Sequence, residues 1–587
     1  MKKILTYYLK PYYGRMTLGF AIKFVGTMMD LFLPWALAHM IDQVIPSGRR
    51  QDLLLWGVFM VVCSFLAVIF NVSANRMASR VASDATYTIR NDLFAKIMYL
   101  SHEEGDRITR PSLISRLTSD TYNIHQMLAR IQRLGVRAPI LLLGGVTMTL
   151  LLDPALSCVL LASMPLLALV VILVSRKGIP LFSALQASVD QFVRLVREDI
   201  SGIRVIKALS KEDYERGRFD RINREVVEAE RKAVMTTAVT NPAMNLFLNL
   251  GLVGIIIVGA YRVNAGTSEV GKILAFMTYF TIILNAMLSI SRMFVMISKA
   301  TASGARIVQV LDCRDERDAE VLHGAWGEDM VMENQDDIHN KTARSVSVPH
   351  IEFDHVTFSY NKNQPNLYDL SFQLMRGETL GIIGSTGSGK TTVLNLLMGF
   401  YRTDQGSVRI DGRDIKTMDF RELRKRFGVV FQNDVIFENT VFENVNMGRG
   451  LDEHQGSQAL THAMAADFVA EKGGLGQQLD IRGANLSGGQ KQRLLIARAL
   501  AAKPEILILD DSSSALDYKT DAALRQELKT CFHDTTCIVI AQRVSSVMGA
   551  EHILVLEEGH VIGYGTHEHL METCPVYREI GSSQMGT

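Results

Sequence analysis

Six long apolar stretches before residue 300 constrain this 587-residue chain more than any other feature. Crossing the hydrocarbon of a bilayer takes about 20 apolar residues, and most of these stretches reach or approach that length. One such stretch would also suit a buried helix of a soluble protein, but six in succession predict six membrane helices. The stretches are Leu18–Ile45, Leu53–Val72, Ala138–Leu152, Ala155–Val174, Leu246–Val263 and Ile273–Ile297.

The connections between the stretches alternate in length, which predicts how the chain is oriented. The two long connections, 73–137 and 175–245, are rich in Lys and Arg. Basic residues collect on the cytoplasmic side of membrane proteins. We therefore expect both long loops and both termini in the cytoplasm.

A few polar residues lie inside the apolar stretches, namely Lys23, Asp30, Asn249, Asn285 and Arg292. Polar groups at membrane depth usually face a water-filled path or a partner helix. The charged heads of Lys23 and Arg292 could instead reach the interface from the ends of their spans. Both interpretations are compatible with the sequence.

Composition supports a division into a membrane part and a water-exposed part. Hydrophobic residues make up 48% of the chain, yet 21% of its residues are charged. We predict a membrane domain over 1–300, a partly flexible linker over 301–350 and a second domain over 351–587. The net charge of +1 predicts no nucleic-acid partner. The six cysteines are scattered and have no metal-binding spacing.

The second domain carries a complete P-loop pattern, preceded by a strand-like segment and followed by a helix-like one. Glycines in such a loop let backbone N–H groups converge on phosphates, and Lys390 adds a positive charge at the outer phosphates. The Thr391 hydroxyl can ligate Mg²⁺. The pattern predicts ATP binding by Gly384, Ser385, Thr386, Gly387, Ser388, Gly389, Lys390, Thr391 and Thr392.

A carboxylate that could hold the same metal ion follows further along the chain. Asp510 ends the apolar segment Ile506–Leu509, which is typical of a buried strand. An acid at the end of a buried strand is unfavourable unless it meets a cation. We therefore predict Asp510 and Thr391 as ligands of the Mg²⁺ that accompanies ATP.

The stretch Leu486–Gln490 resembles the signature sequence of ABC proteins. With the order of six spans, long inner loops and C-terminal cassette, the chain is similar to an ABC exporter half-transporter. The resemblance implies an α-helical transmembrane domain followed by an α/β P-loop domain with a helical subdomain. It also implies that Ser115–Ile124 and Lys211–Phe219 include the coupling helices that dock on the cassettes.

The resemblance also assigns roles to single residues. Tyr360 matches the aromatic residue that stacks on adenine, and Gln432 matches the residue that links Mg²⁺ to the membrane domain. In this family the signature of one chain completes the ATP site of another chain. The signature residues are Ser487, Gly488, Gly489 and Gln490.

Two residues depart from the family pattern where hydrolysis is catalysed. The family has Glu after the Walker B Asp, and this chain has Asp511. Losing one methylene withdraws the carboxylate by about 1–1.5 Å, and misplacement of about 1 Å can slow a reaction about 100-fold. Gln542 replaces the family's switch His and cannot carry positive charge toward the γ-phosphate. Both catalytic positions, Asp511 and Gln542, are therefore predicted to be degenerate.

A degenerate site predicts a partner. The chain most resembles the weakly hydrolytic subunit of a bacterial heterodimeric multidrug exporter in the cytoplasmic membrane, paired with a half-transporter that has the catalytic Glu. The cargo would be a hydrophobic, drug-like compound. Alternatives are a lipid flippase, a peptide exporter half, a homodimeric exporter, an ATP-binding regulatory subunit, and, if all spans were misread, a soluble ATPase acting on nucleic acid or ribosomes.

Overall fold

The computed structural model of the protein describes residues 2–316 and 348–585. The chain divides into two compact units. Unit 1 comprises Met1–Met98 and Arg110–Cys313, and unit 2 comprises Tyr99–Thr109 and Arg314–Thr587. Most of the polar segment that predicts a flexible linker lies outside the described residues.

Unit 1 is built from long helices, and one short helix within its sequence range, α4, belongs to unit 2. One-turn π-helical segments at Met40–Val44, Arg116–Asp120 and Ile131–Gly135 continue neighbouring helices. The helices are α1 (Lys2–Leu9), α2 (Tyr13–His39), α3 (Arg50–Met98), α4 (His102–Ile108), α5 (Arg110–Ser115), α6 (Thr121–Arg130), α7 (Val136–Leu152), α8 (Pro154–Ser201), α9 (Ile203–Ala208), α10 (Glu212–Ala238), α11 (Thr240–Asn264) and α12 (Val270–Leu311).

The predicted set of six membrane helices is confirmed. Six helical runs among the described residues are long and apolar enough to cross a bilayer. Most are much longer than a span: the 49 residues of α3 extend about 74 Å, so part of each long helix lies outside the hydrocarbon. The runs are Ile4–Val44, Arg50–Met98, Arg110–Leu152, Pro154–Ser201, Glu212–Asn264 and Val270–Ile290.

Small residues bring three of these helices together. A Cβ atom at Gly144 of α7 would lie 2.5 Å from Cδ1 of Leu31 in α2. A Cβ at Gly145 would lie 2.8 Å from Cγ1 of Ile283 in α12. The buried Tyr279 hydroxyl of α12 also donates a 2.6 Å hydrogen bond to the carbonyl oxygen of Leu31. Without a hydrophobic drive inside lipid, such close packing and interhelical hydrogen bonds stabilise the bundle.

Unit 2 contains two sheets. Its strands are β1 (Ile351–Phe358), β2 (Leu367–Leu374), β3 (Thr379–Gly384), β4 (Gln405–Ile410), β5 (Arg413–Asp414), β6 (Phe427–Val430), β7 (Ile506–Asp510), β8 (Thr536–Ile540), β9 (His552–Glu557) and β10 (His560–Gly565). Its further helices are α13 (Lys390–Leu397), α14 (Phe420–Lys425), α15 (Val441–Asn446), α16 (Glu453–His462), α17 (Ala466–Glu471), α18 (Gly488–Leu500), α19 (Tyr518–Cys531), α20 (Val544–Val547), α21 (His567–Thr573) and α22 (Pro575–Met585).

The larger sheet brings the ends of several strands to one edge. Its order is β10-β9-β3-β8-β7-β6, and the strands from β9 to β6 are parallel. A second, antiparallel sheet has the order β2-β1-β4-β5. Ligands of open parallel sheets bind at the carboxyl ends of the strands. The predicted α/β nucleotide-binding fold is confirmed, with α15 to α18 forming a helical layer around a separate buried cluster.

The docking of Ser115–Ile124 on a cassette stays a prediction. Residues 115–124 lie in unit 1, where the Asp120 carboxylate accepts a 2.8 Å hydrogen bond from Ser303 of α12. The segment that packs within the cassette unit is Tyr99–Thr109. In that segment His102 stacks on Phe400 with ring centroids 4.1 Å apart. Both segments have polar, helix-forming sequences, so the sequence alone does not show which of them packs within the cassette unit.

Candidate nucleotide site

One cleft at the carboxyl edge of the parallel sheet gathers most of the predicted site residues. It has a volume of about 190 Å³. Sequence analysis missed Asn366, which also lines the cleft and accepts a 3.1 Å hydrogen bond from the Tyr360 backbone N–H. The predicted residues that line it are Thr386, Gly387, Gly389, Lys390, Thr391, Thr392, Gln432, Asp510, Asp511 and Gln542.

The loop between β3 and α13 depends on glycine at two positions. Gly389 has a φ of +105°, and a Cβ there would lie 2.7 Å from Cδ2 of Leu367. At Gly384, an added Cβ would lie 2.1 Å from the carbonyl oxygen of Leu556. Such a loop, followed at once by a helix, forms a concave backbone surface that suits an anion.

Lys390 begins α13 and reaches back across this loop. Its ammonium donates hydrogen bonds to the carbonyl oxygens of Gly384 and Ser385, at 2.9 and 2.6 Å, and to the buried Ser388 hydroxyl at 3.4 Å. Burial lowers the pKa of Lys390, while the carboxylates of Asp510 and Asp511 act to raise it. The cation therefore lies in the loop that would receive the phosphates.

Asp510 is buried at the end of β7, with 4% of its surface exposed. Burial raises the pKa of Asp510, and the adjacent Asp511 charge raises it further, while Lys390 lowers it. Two carboxylates beside a single ammonium leave negative charge that is only partly compensated. A hard divalent cation fits this donor set, because Asp510 brings carboxylate oxygens and Thr391 and Gln432 line the same cleft with hydroxyl and amide oxygens.

Asp511 lies between two side-chain amides. Nε2 of Gln542 is 3.4 Å from Oδ2 of Asp511, and Nε2 of Gln432 is 3.5 Å from the same oxygen. The sheet register explains this proximity, since Asp510 pairs with Ile540, two residues before Gln542. Asp511 itself has a φ of +51° where the chain turns sharply out of β7. The two positions that are predicted to be degenerate are therefore direct neighbours.

Tyr360 lies beside the start of the P-loop helix. Its hydroxyl donates to Thr392 Oγ1 at 3.4 Å and accepts a 3.1 Å hydrogen bond from Asn395 Nδ2. Tyr401 packs edge-on against the Tyr360 ring, with ring centroids 4.9 Å apart. The residue is 37% exposed, and Tyr401 packs against one side of its ring.

The signature residues lie apart from this cleft. Ser487 caps α18 by accepting a 3.3 Å hydrogen bond from the Gln490 backbone N–H, and Gln490 Oε1 accepts from the Ser487 N–H at 3.1 Å. A Cβ at Gly488 would meet nothing within 4 Å, whereas one at Gly489 would lie 3.1 Å from a backbone oxygen. Among the described residues that line the cleft, none comes from Ser487–Gln490.

Sequence analysis also missed a contact that holds the loop after β8. The side chain of Gln584, in the C-terminal helix α22, donates to the carbonyl oxygen of Gln542 at 2.8 Å. Its Oε1 accepts from the Val544 N–H at 2.8 Å. A single amide thus joins both sides of the loop that carries Gln542. No local sequence pattern indicates this contact, because the residues are about 40 positions apart.

A P-loop nucleotide fold joined to six membrane helices defines a transporter ATPase. Residues 16–287 match the ABC transporter transmembrane region, and residues 367–514 match the ABC transporter family. The chain belongs to the ABC transporter family, whose ATPase domain implies ATP binding.

Two relatives resemble this chain over nearly its whole length. An uncharacterized ABC transporter ATP-binding protein of Mycobacterium tuberculosis (strain CDC 1551 / Oshkosh) is 32% identical over 585 residues, covering 99% of this chain and 98% of that protein. The uncharacterized ABC transporter ATP-binding protein YfiB of Bacillus subtilis (strain 168) is 32% identical over 591 residues, covering 100% and 99%. The chain is thus a multi-pass membrane transporter.

The fold is also that of a solved exporter. The structure of a bacterial Atm1-family ABC exporter with ATP bound has a TM-score of 0.78 and 25% sequence identity, and the match covers 97% of this chain and 98% of that chain. The chain therefore has the exporter fold and is an ATP-driven transport enzyme.

Proposed function

We propose that this chain is the ATP-holding, signature-donating half of a heterodimeric exporter of hydrophobic or drug-like compounds. Its own ATP site would hydrolyse slowly, and a partner half with the catalytic Glu would carry most of the turnover. The observation that carries the proposal is the pairing of Asp511 with Gln542, at 3.4 Å, where the family has Glu and His.

The proposal assigns binding to the residues that keep the family pattern. Backbone N–H groups of Gly384–Thr391 and the Lys390 ammonium would hold the phosphates, and Tyr360 would stack on adenine. Thr391, Gln432 and Asp510 would hold Mg²⁺, which when bound neutralises phosphate charge. Lys390 compensates only part of the negative charge of Asp510 and Asp511. The remaining negative charge supports a bound cation at this place.

The same geometry accounts for slow hydrolysis. A general base must come within about 2.6–3.2 Å of the proton that it removes. The Asp511 carboxylate is one methylene shorter than Glu, and the amides of Gln432 and Gln542 already lie near one of its oxygens. Gln542 can donate a hydrogen bond but stays neutral, so it adds no positive charge as negative charge develops.

The separation of the signature from the cleft supports a two-chain site. Gly488 presents an open surface at the start of α18, and Gln490 is oriented by the capping hydrogen bonds. We propose that Ser487–Gln490 completes the ATP site of the partner. The basic loops support a cytoplasmic cassette in a chain that lies in the bacterial cytoplasmic membrane.

The test is ATP turnover by the purified chain in nanodiscs, alone and with a co-expressed partner half. We expect ATP to bind with turnover about 100-fold below that of the pair. Lys390→Ala is the control that should lose binding as well. Rapid turnover by the chain alone would contradict the heterodimer and favour the homodimeric alternative. Transport of a drug panel by vesicles containing the pair tests the cargo class separately.

A further inference from the structure

Unit 1 contains a charged cluster that the nucleotide site does not use, here called the basic cluster: Lys23, Asp30, Arg133 and Arg137. Nη2 of Arg137 is 2.9 Å from Oδ2 of Asp30. Lys23 is 3% exposed, lies within electrostatic range of the other three, and donates a 3.1 Å hydrogen bond to Asn75 Oδ1. Three cations and one carboxylate give the basic cluster a net charge of +2.

The basic cluster lies at membrane depth. About 21 Å of helix rise separate Asp30 from Val44, where its membrane run ends, and about 22 Å separate Arg137 from Leu152. The hydrocarbon core is about 30 Å thick. With the long loops in the cytoplasm, the cluster lies in the inner half of the bilayer. Excess positive charge at that depth is unfavourable unless an anion meets it.

Several donors of the basic cluster have no partner among the described residues. The Nε atoms of Arg133 and Arg137, and Nε2 of Gln132, the residue before Arg133, are buried and make no hydrogen bond to any of them. The Asp30 carboxylate already has hydrogen-bond partners, since its Oδ2 accepts from Arg137 and, at 3.3 Å, from Asn71. The cluster therefore has spare N–H donors and spare positive charge in the same place.

We propose that the basic cluster binds the anionic headgroup of an amphiphile, a carboxylate, sulfonate or phosphate attached to an apolar body. Guanidinium groups match such oxygens in geometry and remain charged in apolar surroundings. The apolar body would lie in the surrounding membrane-helix region. This inference rests on the proposed export function and narrows its cargo to organic anions, although an anionic lipid of the inner leaflet presents the same chemistry.

A pair of matched fluorescent probes tests the proposal. 1-Pyrenebutyrate is an anion at pH 7.5, and 1-pyrenebutanol is its neutral counterpart. Energy transfer from the tryptophans, of which Trp35 lies about 7.5 Å along α2 from Asp30, reports binding to the full chain in neutral phosphatidylcholine nanodiscs without ATP. We expect saturable binding of pyrenebutyrate at least about tenfold tighter than binding of pyrenebutanol.

Variants separate charge recognition from general damage. Lys23→Gln and Arg137→Gln should each weaken pyrenebutyrate binding about tenfold, whereas Arg137→Lys should retain most of it. Asp30→Asn should tighten binding, because it raises the net charge. The matched control is Arg130→Gln, at an exposed position three residues before Arg133, which should change nothing.

Adding phosphatidylglycerol to the nanodiscs distinguishes the two sources of the anion. Loss of the saturable phase would identify lipid as the occupant, and its persistence would identify a free organic anion; both outcomes support the basic cluster. Equal affinity for the two probes, unchanged affinity in both Gln variants, or weaker binding in Asp30→Asn would overturn the inference. Because binding is measured without ATP, that failure would leave the proposed ATP-driven function intact.

Discussion

Oδ2 of Asp511 lies 3.4 Å from Nε2 of Gln542 in the cleft at the carboxyl edge of the parallel sheet. Nε2 of Gln432 is 3.5 Å from the same oxygen. Both distances are longer than the usual range of about 2.7–3.2 Å for an N–H···O hydrogen bond. The position that we propose for activating water is thus occupied by a short carboxylate between neutral amides, while the phosphate-binding loop beside it keeps its full pattern.

The two left-handed glycines of the loop should differ in their tolerance of alanine. Gly387 and Gly389 both have positive φ, at +87° and +105°, so each substitution carries backbone strain of about 1–2 kcal/mol. A Cβ at Gly387 meets nothing within 4 Å, but one at Gly389 would lie 2.7 Å from Leu367. Overpacking adds about 1–3 kcal/mol. Thermal unfolding should therefore show Gly389→Ala as the less stable variant, and equal stability would contradict this packing.

His350 should make the cassette sensitive to mild acid. Burial and the nearby Arg376 charge lower the pKa of His350 to about 4, and its Nδ1 lies 2.7 Å from Thr536 Oγ1. The unfolded chain takes up this proton near pH 6.5, so stability falls as pH drops from about 6.5 toward 4. The full effect is on the order of 3 kcal/mol.

The cassette transition in calorimetry between pH 7.5 and 5 checks the expected acid sensitivity. His350→Gln should flatten the dependence of its midpoint on pH. The control is His454→Gln, because His454 is an exposed histidine of helix α16 in the same unit. An unchanged slope in His350→Gln would show that other groups cause the acid sensitivity.

Gln584 should hold the loop that carries Gln542. In Gln584→Ala the Val544 N–H loses its side-chain acceptor, and a hydrogen bond is worth about 1 kcal/mol, so amide exchange at Val544 should accelerate about fivefold. Gln584→Glu keeps an acceptor for Val544 and should preserve most of the protection. Equal exchange in the wild type and Gln584→Ala would show that the contact does not persist in solution.

The parts of the site that sequence predicts share one physical basis. The P-loop, Asp510 and Gln542 lie at or just after the carboxyl ends of buried parallel strands, and such strand ends meet at one edge of a sheet whatever the loops do. The six spans are predicted equally directly from the sequence, because bilayer thickness sets their length. The strand-end residues and the six spans can both be predicted, because each depends on the local sequence and on a regular backbone geometry.

The missed features depend on contacts between distant residues. The Gln584 side chain reaches the Gln542 carbonyl across 42 positions, and Tyr401 donates a hydrogen bond to Asp106 across 295 positions. Neither pair has a local motif. The segment Tyr99–Thr109 was missed for the same reason, since its assignment to the cassette unit follows from tertiary packing alone.

Single-turnover hydrolysis of radiolabelled ATP by the purified chain tests the central claim most directly. The variants are Asp511→Glu, Gln542→His and the double substitution, with Asp511→Asn as the matched control of similar size. If the short carboxylate and the neutral amide limit the site, the double variant should hydrolyse about 100-fold faster with unchanged ATP affinity, and Asp511→Asn should gain nothing. No gain in the double variant, with ATP still bound, would contradict the account.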